Sequence, residues 1–251
     1  MRRNMKYLEK VFNIIGIVAY SDIEGVSVIE VSEKAGLPMS STHRILNDLV
    51  ECEALVKNLE SRKYRLSPRI VPLVHEISRK MNLDLLKVIL TELKDEINET
   101  VFLSELMENG VASLLTVESN RVFSFRARSG VYLPVHCTAA GLAIVAHIES
   151  SKAERLMCIS SGNKDSQVSQ CPIEKFRDRL AKVRRDGFAF CDEEYEPGLR
   201  ALAVPVLRHN GFAFASITAI APGERFGDEE RNRQVVERMK EAANKVSKFM
   251  Y

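Results

Sequence analysis

The stretch GLPMSSTHRILNDLV, residues 36–50, constrains the fold more than any other. Gly36 supplies the permissive backbone that a tight turn between helices needs, and Pro38 suits the first turn of a helix because it has no amide to leave unpaired. Beyond them Thr42, Ile45, Leu46 and Leu49 recur at three- and four-residue steps, the buried side of a helix, and leave Ser40, Ser41, Arg44 and Asn47 on the other side. Upstream, Ser27 with Glu30 three positions on reads as a capping box, and Val28, Val31 and Ala35 as the inner face of a short helix. Residues 5–19 add a longer amphipathic helix with Leu8, Val11, Phe12, Ile15 and Val18 or Ala19 in its stripe. A short helix, a glycine turn and a second helix resemble a helix-turn-helix, whose second helix enters the DNA major groove by its N-terminal residues.

Ser40, Ser41, Arg44 and Asn47 are donor-rich side chains able to reach base edges or phosphates. Thr42 counts twice: it belongs to the inner face, and its hydroxyl stands among the candidate donors. A plain solvated face competes with this reading, because a polar outer side is what any amphipathic helix has. The next residues weigh against the plainer view. ALVKNLESRKYRLSP reads as two short strands, Ala54–Leu59 and Lys63–Leu66, joined by a polar turn at Glu60, Ser61 and Arg62. A basic hairpin directly after a helix-turn-helix is the wing of a winged domain. Its Lys57, Arg62 and Lys63 would contact backbone phosphates and fix register, leaving base reading to the helix, while Tyr64 alternates inward to the core. Residues 1–70 hold eleven Lys or Arg against nine Asp or Glu and the remainder holds 25 of each, so the small basic excess of the chain is local to this half.

At 251 residues the chain is long enough for two domains. A hydrophobic fraction of 45% and a charged fraction of 28% suit an ordinary globular protein. No apolar run approaches a membrane span, and MRRNMKYLEK lacks the apolar core of a signal peptide, so a cytoplasmic location is expected. Cys52, Cys137, Cys158, Cys171 and Cys191 are odd in number and widely spaced, which favours reduced, mostly buried thiols over a disulfide framework or zinc ribbon.

Residues 68–99 read as helices, with stripes at Ile70, Leu73, Val74 and Ile77 and at Leu83, Leu86, Ile89, Leu90, Leu93 and Ile97, and a junction at Asn82 and Asp84. Strand-like runs follow at VFLSEL, ASLLTV and VFSFRA, then a helix from about Thr138, helices near 151–159 and 173–186, strands at FAFC, ALAVPVL and FASITAI, and a last helix from Asp228 to about Lys248. That order fits an α+β sheet domain. Thr138, Ala139, Ala140 and Gly141 begin a helix with almost no side-chain bulk, which leaves its amides open to a carboxylate or equally allows close packing of helix on sheet.

VSEKAGLPMSSTHRILNDL followed by YRLSPRI resembles the N-terminal module of the IclR-type transcriptional regulators, with Pro38, Ser40, His43, Arg44 and Leu46 where that pattern puts them. SGVYLPVHCTAAGLA and DEEYEPGLRALAVPV are similar to two further motifs of the family, in its order. Met39 departs from it, standing where a lysine is common. The resemblance implies a winged helix-turn-helix over 1–67, a linker helix over 68–82, and a GAF-like antiparallel-sheet effector-binding domain over 83–251. It implies double-stranded operator DNA and a small-molecule effector, a carboxylate, as partners, and a homodimer or dimer of dimers. It implies, too, an effector wall of Val122, Phe125, Ala139, Ala140, Cys191, Ala201, Thr218 and Ile220. Of the two last-strand wall positions only Thr218 carries a hydroxyl, so the effector is expected to carry an apolar or aromatic body beside its acid group. Tyr7, Ile14 and Tyr20 of the first helix add apolar surface that serves either dimerisation or a wider core.

An enzyme, or a metabolite sensor without a DNA-binding role, is the alternative. Cys137 beside His136 offers a nucleophile and a base, but neighbours on a strand point to opposite faces and no third group orients them. Asp192, Glu193, Glu194 and Glu196 are adjacent acids of a loop, expected in water or paired with Arg200. His136, His147 and His209 are scattered. No metalloprotease, P-loop or dinucleotide motif occurs, and neither a cofactor nor a metal is expected.

Overall fold

The computed structural model describes residues 2–108, 110–122, 130, 132–161 and 171–250, the side chains of 2–6 and 161 excepted. By its contacts the chain divides into two compact units, Met1–Lys80 and Met81–Tyr251.

The first unit runs α1 (Arg2–Ala19), α2 (Val28–Ala35), α3 (Met39–Glu51), β1 (Leu55–Lys57), β2 (Tyr64–Leu66), a 3-10 turn at Pro68–Ile70, and α4 (Val71–Lys80). The capping box forms: Ser27 Oγ accepts from the Glu30 amide while the Glu30 carboxylate accepts from the Ser27 amide at 2.8 Å. Gly36 closes α2 with φ 61, a left-handed conformation that would strain most other residues. Thr42, Ile45, Leu46 and Leu49 are buried as the periodicity requires. The three apolar ones pack with Val31, Leu55 and Tyr64, each worth about 1.5–3 kcal/mol in area removed from water.

Three details differ from the sequence reading. On α1 the buried positions are Ile14 and Val18, with Tyr7, Val11 and Ile15 half-buried, whereas Leu8 and Phe12 are exposed. Ile14 is therefore core, and the free apolar surface of α1 belongs to Leu8 and Phe12. The wing is shorter than expected, pairing only Leu55 with Leu66, Val56 with Arg65 and Lys57 with Tyr64. Asn58 is the reason: its side-chain oxygen accepts from the amides of Glu60 and Ser61, which turns the chain before Leu59 can join the strand. The expected stripe is not buried in its unit: Leu73, Val74 and Ile77 of α4 are exposed, and Ile70, in the 3-10 turn before it, is half-buried.

The second unit comprises α5 (Leu83–Ile97), β3 (Thr100–Met107), β4 (Gly110–Val117), β5 (Tyr132–Leu133), α6 (Ala139–Val145), α7 (Ser150–Ser161), α8 (Ile173–Asp186), β6 (Ala189–Asp192), β7 (Leu199–Leu207), β8 (Ala213–Pro222), a 3-10 turn at Gly223–Phe226, and α9 (Glu229–Phe249). The strands form one sheet, antiparallel throughout, in the order β5-β4-β3-β8-β7-β6. One face carries Val101, Leu103, Leu202, Val204 and Ile217 against α5 and α9. The other carries Phe102, Ala189, Ala203 and Ile220 against α6, α7 and α8. Alternation along each strand thus feeds two cores, which is why these strands read as nearly continuous apolar runs. Residues 135–137 form a turn rather than a strand, so His136 and Cys137 are not separated by strand alternation. The strand expected at VFSFRA lies outside the described residues beyond Val122.

Candidate functional site

On α3, Ser40, Arg44 and Asn47 are exposed and Ser41 is half-buried, on the side opposite the core. Thr42 is a correction: it is fully buried and its hydroxyl donates to the Pro38 carbonyl at 3.2 Å, so the core takes this donor and it cannot reach a base directly. Arg44 lies with its guanidinium carbon 5.8 Å from the centre of the Tyr7 ring. The Tyr7 hydroxyl donates to Asp48 Oδ2 at 2.7 Å, and that hydrogen bond, more than burial, raises the Tyr7 pKa. Asn47 Nδ2 is 3.2 Å from His43 Nδ1, so part of its capacity is engaged along the helix. In the wing, Lys57 stands 5.1 Å over the Tyr64 ring, Arg62 is exposed in a left-handed turn position, and Lys63 pairs with Glu24 at 3.2 Å. Of the three wing cations, Lys63 is thus partly neutralised within the protein.

In the second unit the sheet register assembles most of the expected wall. Cys191 lies opposite Ala201 and Ala201 opposite Ile220, one continuous row across β6, β7 and β8; Thr218 follows in the next row, opposite Ala203 and Phe102. Directly opposed residues share a face. Ala139 and Ala140 are buried on α6, which packs on β7 and β8, and Ser216 Oγ donates to the Ala140 carbonyl at 3.2 Å. Gly141 is required: a Cβ there would stand 2.5 Å from Val135 Cα and 2.9 Å from Thr138 Oγ1. Two expected wall members are not brought in. Phe125 lies outside the described residues. Val122 is fully exposed in a bend after β4, because Ser119 turns the chain, donating to the Asn98 carbonyl and accepting from the Arg121 amide.

Four hydroxyls on this face are buried without a hydrogen-bond partner: Thr218, Thr116, Ser104 and Ser113. Such groups normally find one, so this face has the capacity to hydrogen-bond a polar guest. The thiols are a different matter. Burial pushes Cys137 and Cys191 up to about 12 each, so both are neutral, and burial lowers the His136 pKa. A thiol held this far from its thiolate is a poor nucleophile.

Sequence reasoning missed Arg179 of α8. Its guanidinium holds the Glu194 carboxylate with both terminal nitrogens, at 2.6 and 2.8 Å, donates to the His136 carbonyl at 2.8 Å, and reaches Cys191 Sγ at 3.5 Å. It missed, too, Glu99, a buried carboxylate facing Arg121 at 3.6 Å, Arg225 at 2.8 Å and Arg231 at 3.1 Å. Neither has a signal in spacing. The acidic loop does pair with Arg200, through Asp192. Among the described residues no group of three His, Cys, Asp or Glu could hold a metal ion, and no helix is long and apolar enough to cross a membrane.

Residues 8–59 match the IclR helix-turn-helix domain, and residues 75–248 match the bacterial transcriptional regulator IclR C-terminal domain. The chain is 25% identical over 247 residues to the HTH-type transcriptional regulator KdgR of Escherichia coli, covering 97% of this chain and 93% of that protein. It is 27% identical over 214 residues to the probable transcriptional regulator SauR of Cupriavidus necator, covering 85% and 84%. Its fold is shared with an IclR homolog from Microbacterium hydrocarbonoxydans solved in complex with 4-hydroxybenzoate, at a TM-score of 0.73 and 24% identity over 97% of this chain and 98% of that one. Regulators rather than enzymes make up this group, and the chain belongs to the IclR family of DNA-binding transcriptional regulators.

Proposed function

We propose that the chain regulates transcription in the cytoplasm by binding operator DNA through Ser40, Ser41, Arg44 and Asn47 of α3, with Lys57, Arg62 and Lys63 on flanking phosphates. A small organic acid binds the second unit against Ala139, Ala140, Cys191, Ala201, Thr218 and Ile220. Two copies, or two pairs, dock through the exposed Leu8 and Phe12 of α1, so that their recognition helices meet half-sites about one helical turn apart. Residues 68–82 act as the linker. The effector favours one spacing of the recognition helices over another, because a ligand that bound both equally would change nothing.

The observation that carries the effector reading is the buried, unpartnered hydroxyl of Thr218 in the row next to Cys191, Ala201 and Ile220. An apolar wall beside a few unsatisfied hydroxyls suits a ligand of apolar body and polar end, as 4-hydroxybenzoate is in the Microbacterium relative. Selection of bound fragments from genomic DNA tests the whole reading. Specific fragments should be recovered by the wild type and not by Arg44→Ala. Recovery of the same fragments by Arg44→Ala would remove α3 as the reading element.

A further inference from the structure

Given an acidic effector, the reading proposed above, its carboxylate needs a cation or a set of amides. The amides at the start of α6 are a poor source: the helix is only seven residues long, and Thr138 Oγ1 already accepts from the Gly141 amide at 3.2 Å. Arg179 is better placed. It touches Cys191, a member of the wall, and the carbonyl of His136, just before the α6 cap. Its present partner is a carboxylate of the protein itself, Glu194, held in the two-pronged geometry that a ligand carboxylate would use.

We propose that Arg179 is the residue that recognises the acid group of the effector, and that it does so by exchange: the effector carboxylate takes the place of Glu194 and frees the acidic loop 192–198.

Three observations support the exchange. The pair is asymmetric in exposure, 17% for the Arg179 side chain and 36% for Glu194, so the carboxylate is the partner nearer water and the guanidinium the one held in place. The adjoining Cys137 and Cys191 thiols are neutral, so neither competes as an anion. The loop is already under local constraint: Glu193, next to Glu194, has φ 57, a left-handed conformation uncommon for glutamate, held by its own carboxylate accepting from the Gly198 amide at 3.0 Å. Specificity follows from charge. A neutral amide of the same shape cannot displace Glu194, because it would exchange an ion pair for a weaker dipole.

The test uses the full chain and a fixed panel, 4-hydroxybenzoate, benzoate and pyruvate, each beside its amide, with affinity by calorimetry and loop exposure by hydrogen exchange. At least one acid should bind the wild type and none of the amides, with faster exchange in 192–198 on binding. Glu194→Gln, which removes the competitor, should tighten the acid roughly tenfold, and Arg179→Gln should weaken it at least about tenfold, with Arg179→Lys between. Unliganded melting curves establish that the variants fold. No binding by any acid of the panel, equal binding to Arg179→Gln, or unchanged or weaker binding to Glu194→Gln overturns the proposal. An acid that ignores Arg179 but is lost in Thr218→Val leaves the effector site standing and removes only the exchange.

Discussion

The hydroxyl of Tyr7 on α1 donates a 2.7 Å hydrogen bond to Oδ2 of Asp48 on α3, across 41 residues of sequence. The same ring lies under the guanidinium of Arg44, one helical turn back on α3. The helix whose exposed Leu8 and Phe12 are proposed to dock a second copy is thereby tied to the proposed recognition helix, and the tie restricts where Arg44 can point. Tyr7→Phe keeps the ring and removes the hydrogen bond. Stability should change by less than about 1 kcal/mol, because the bond is near the surface. Affinity for a selected operator should fall roughly two- to tenfold, the value of one net hydrogen bond, with no change on a scrambled duplex. Fluorescence anisotropy on both duplexes checks this, and equal loss on the two would assign Tyr7 a general role.

Glu99 holds three guanidiniums around one buried carboxylate and joins the start of β3, the bend after β4, the 3-10 turn and α9. Glu99→Gln keeps the shape and removes the charge. Unfolding in urea should show a loss of about 3 kcal/mol, toward the lower end for breaking a buried pair because the arginines still reach water. A loss below about 1 kcal/mol would mean that solvent replaces the carboxylate.

What could be read in the sequence, and what could not, follows the range of the forces involved. The inner face of α3, the Ser27 capping box and the Gly36 turn are local, and each is set by residues within one or two turns of itself. The buried side of α1 was not decidable in the same way. Positions 8, 11, 12, 15 and 18 and positions 7, 11, 14 and 18 fit one helical period nearly equally well, and only packing against α2, α3 and β2 selects the second set. Arg179 is one of many charged residues in IEKFRDRLAKVRRD, and its partner lies 15 residues on in a loop. Its role arises from how α8 sits on β6, a tertiary relation with no trace in the periodicity. The proposed wall draws on both sources: the resemblance suggests its residues, and the strand register puts Cys191, Ala201, Ile220 and Thr218 in adjacent rows of one face.

Burial raises the Cys137 and Cys191 thiols from 9.0 to about 12, while Cys52 and Cys158 are exposed. Iodoacetamide at neutral pH should therefore label Cys52 and Cys158 in the folded protein and spare the two buried thiols, as read by peptide mass spectrometry. A raised pKa means that folding favours the neutral thiol. Its contribution to stability is complete below 9.0 and is lost as pH rises toward about 12. Urea unfolding across that window should show declining stability, and the decline should be shallower when both cysteines are alanine.

Thr218 sets stability against binding. Its hydroxyl is buried, on a strand that pairs on both sides, and has no partner, so the unliganded fold bears the cost of a desolvated polar group. Thr218→Val keeps the volume and removes the hydroxyl. If the hydroxyl is held for a ligand, the variant should be more stable by about 1 kcal/mol without ligand and should bind the best acid of the panel about tenfold more weakly. Thermal unfolding and calorimetry read the two effects on one sample. A variant that is less stable but binds as tightly as the wild type would place the hydroxyl in the packing of β8 instead, and the effector wall would have to be drawn without it.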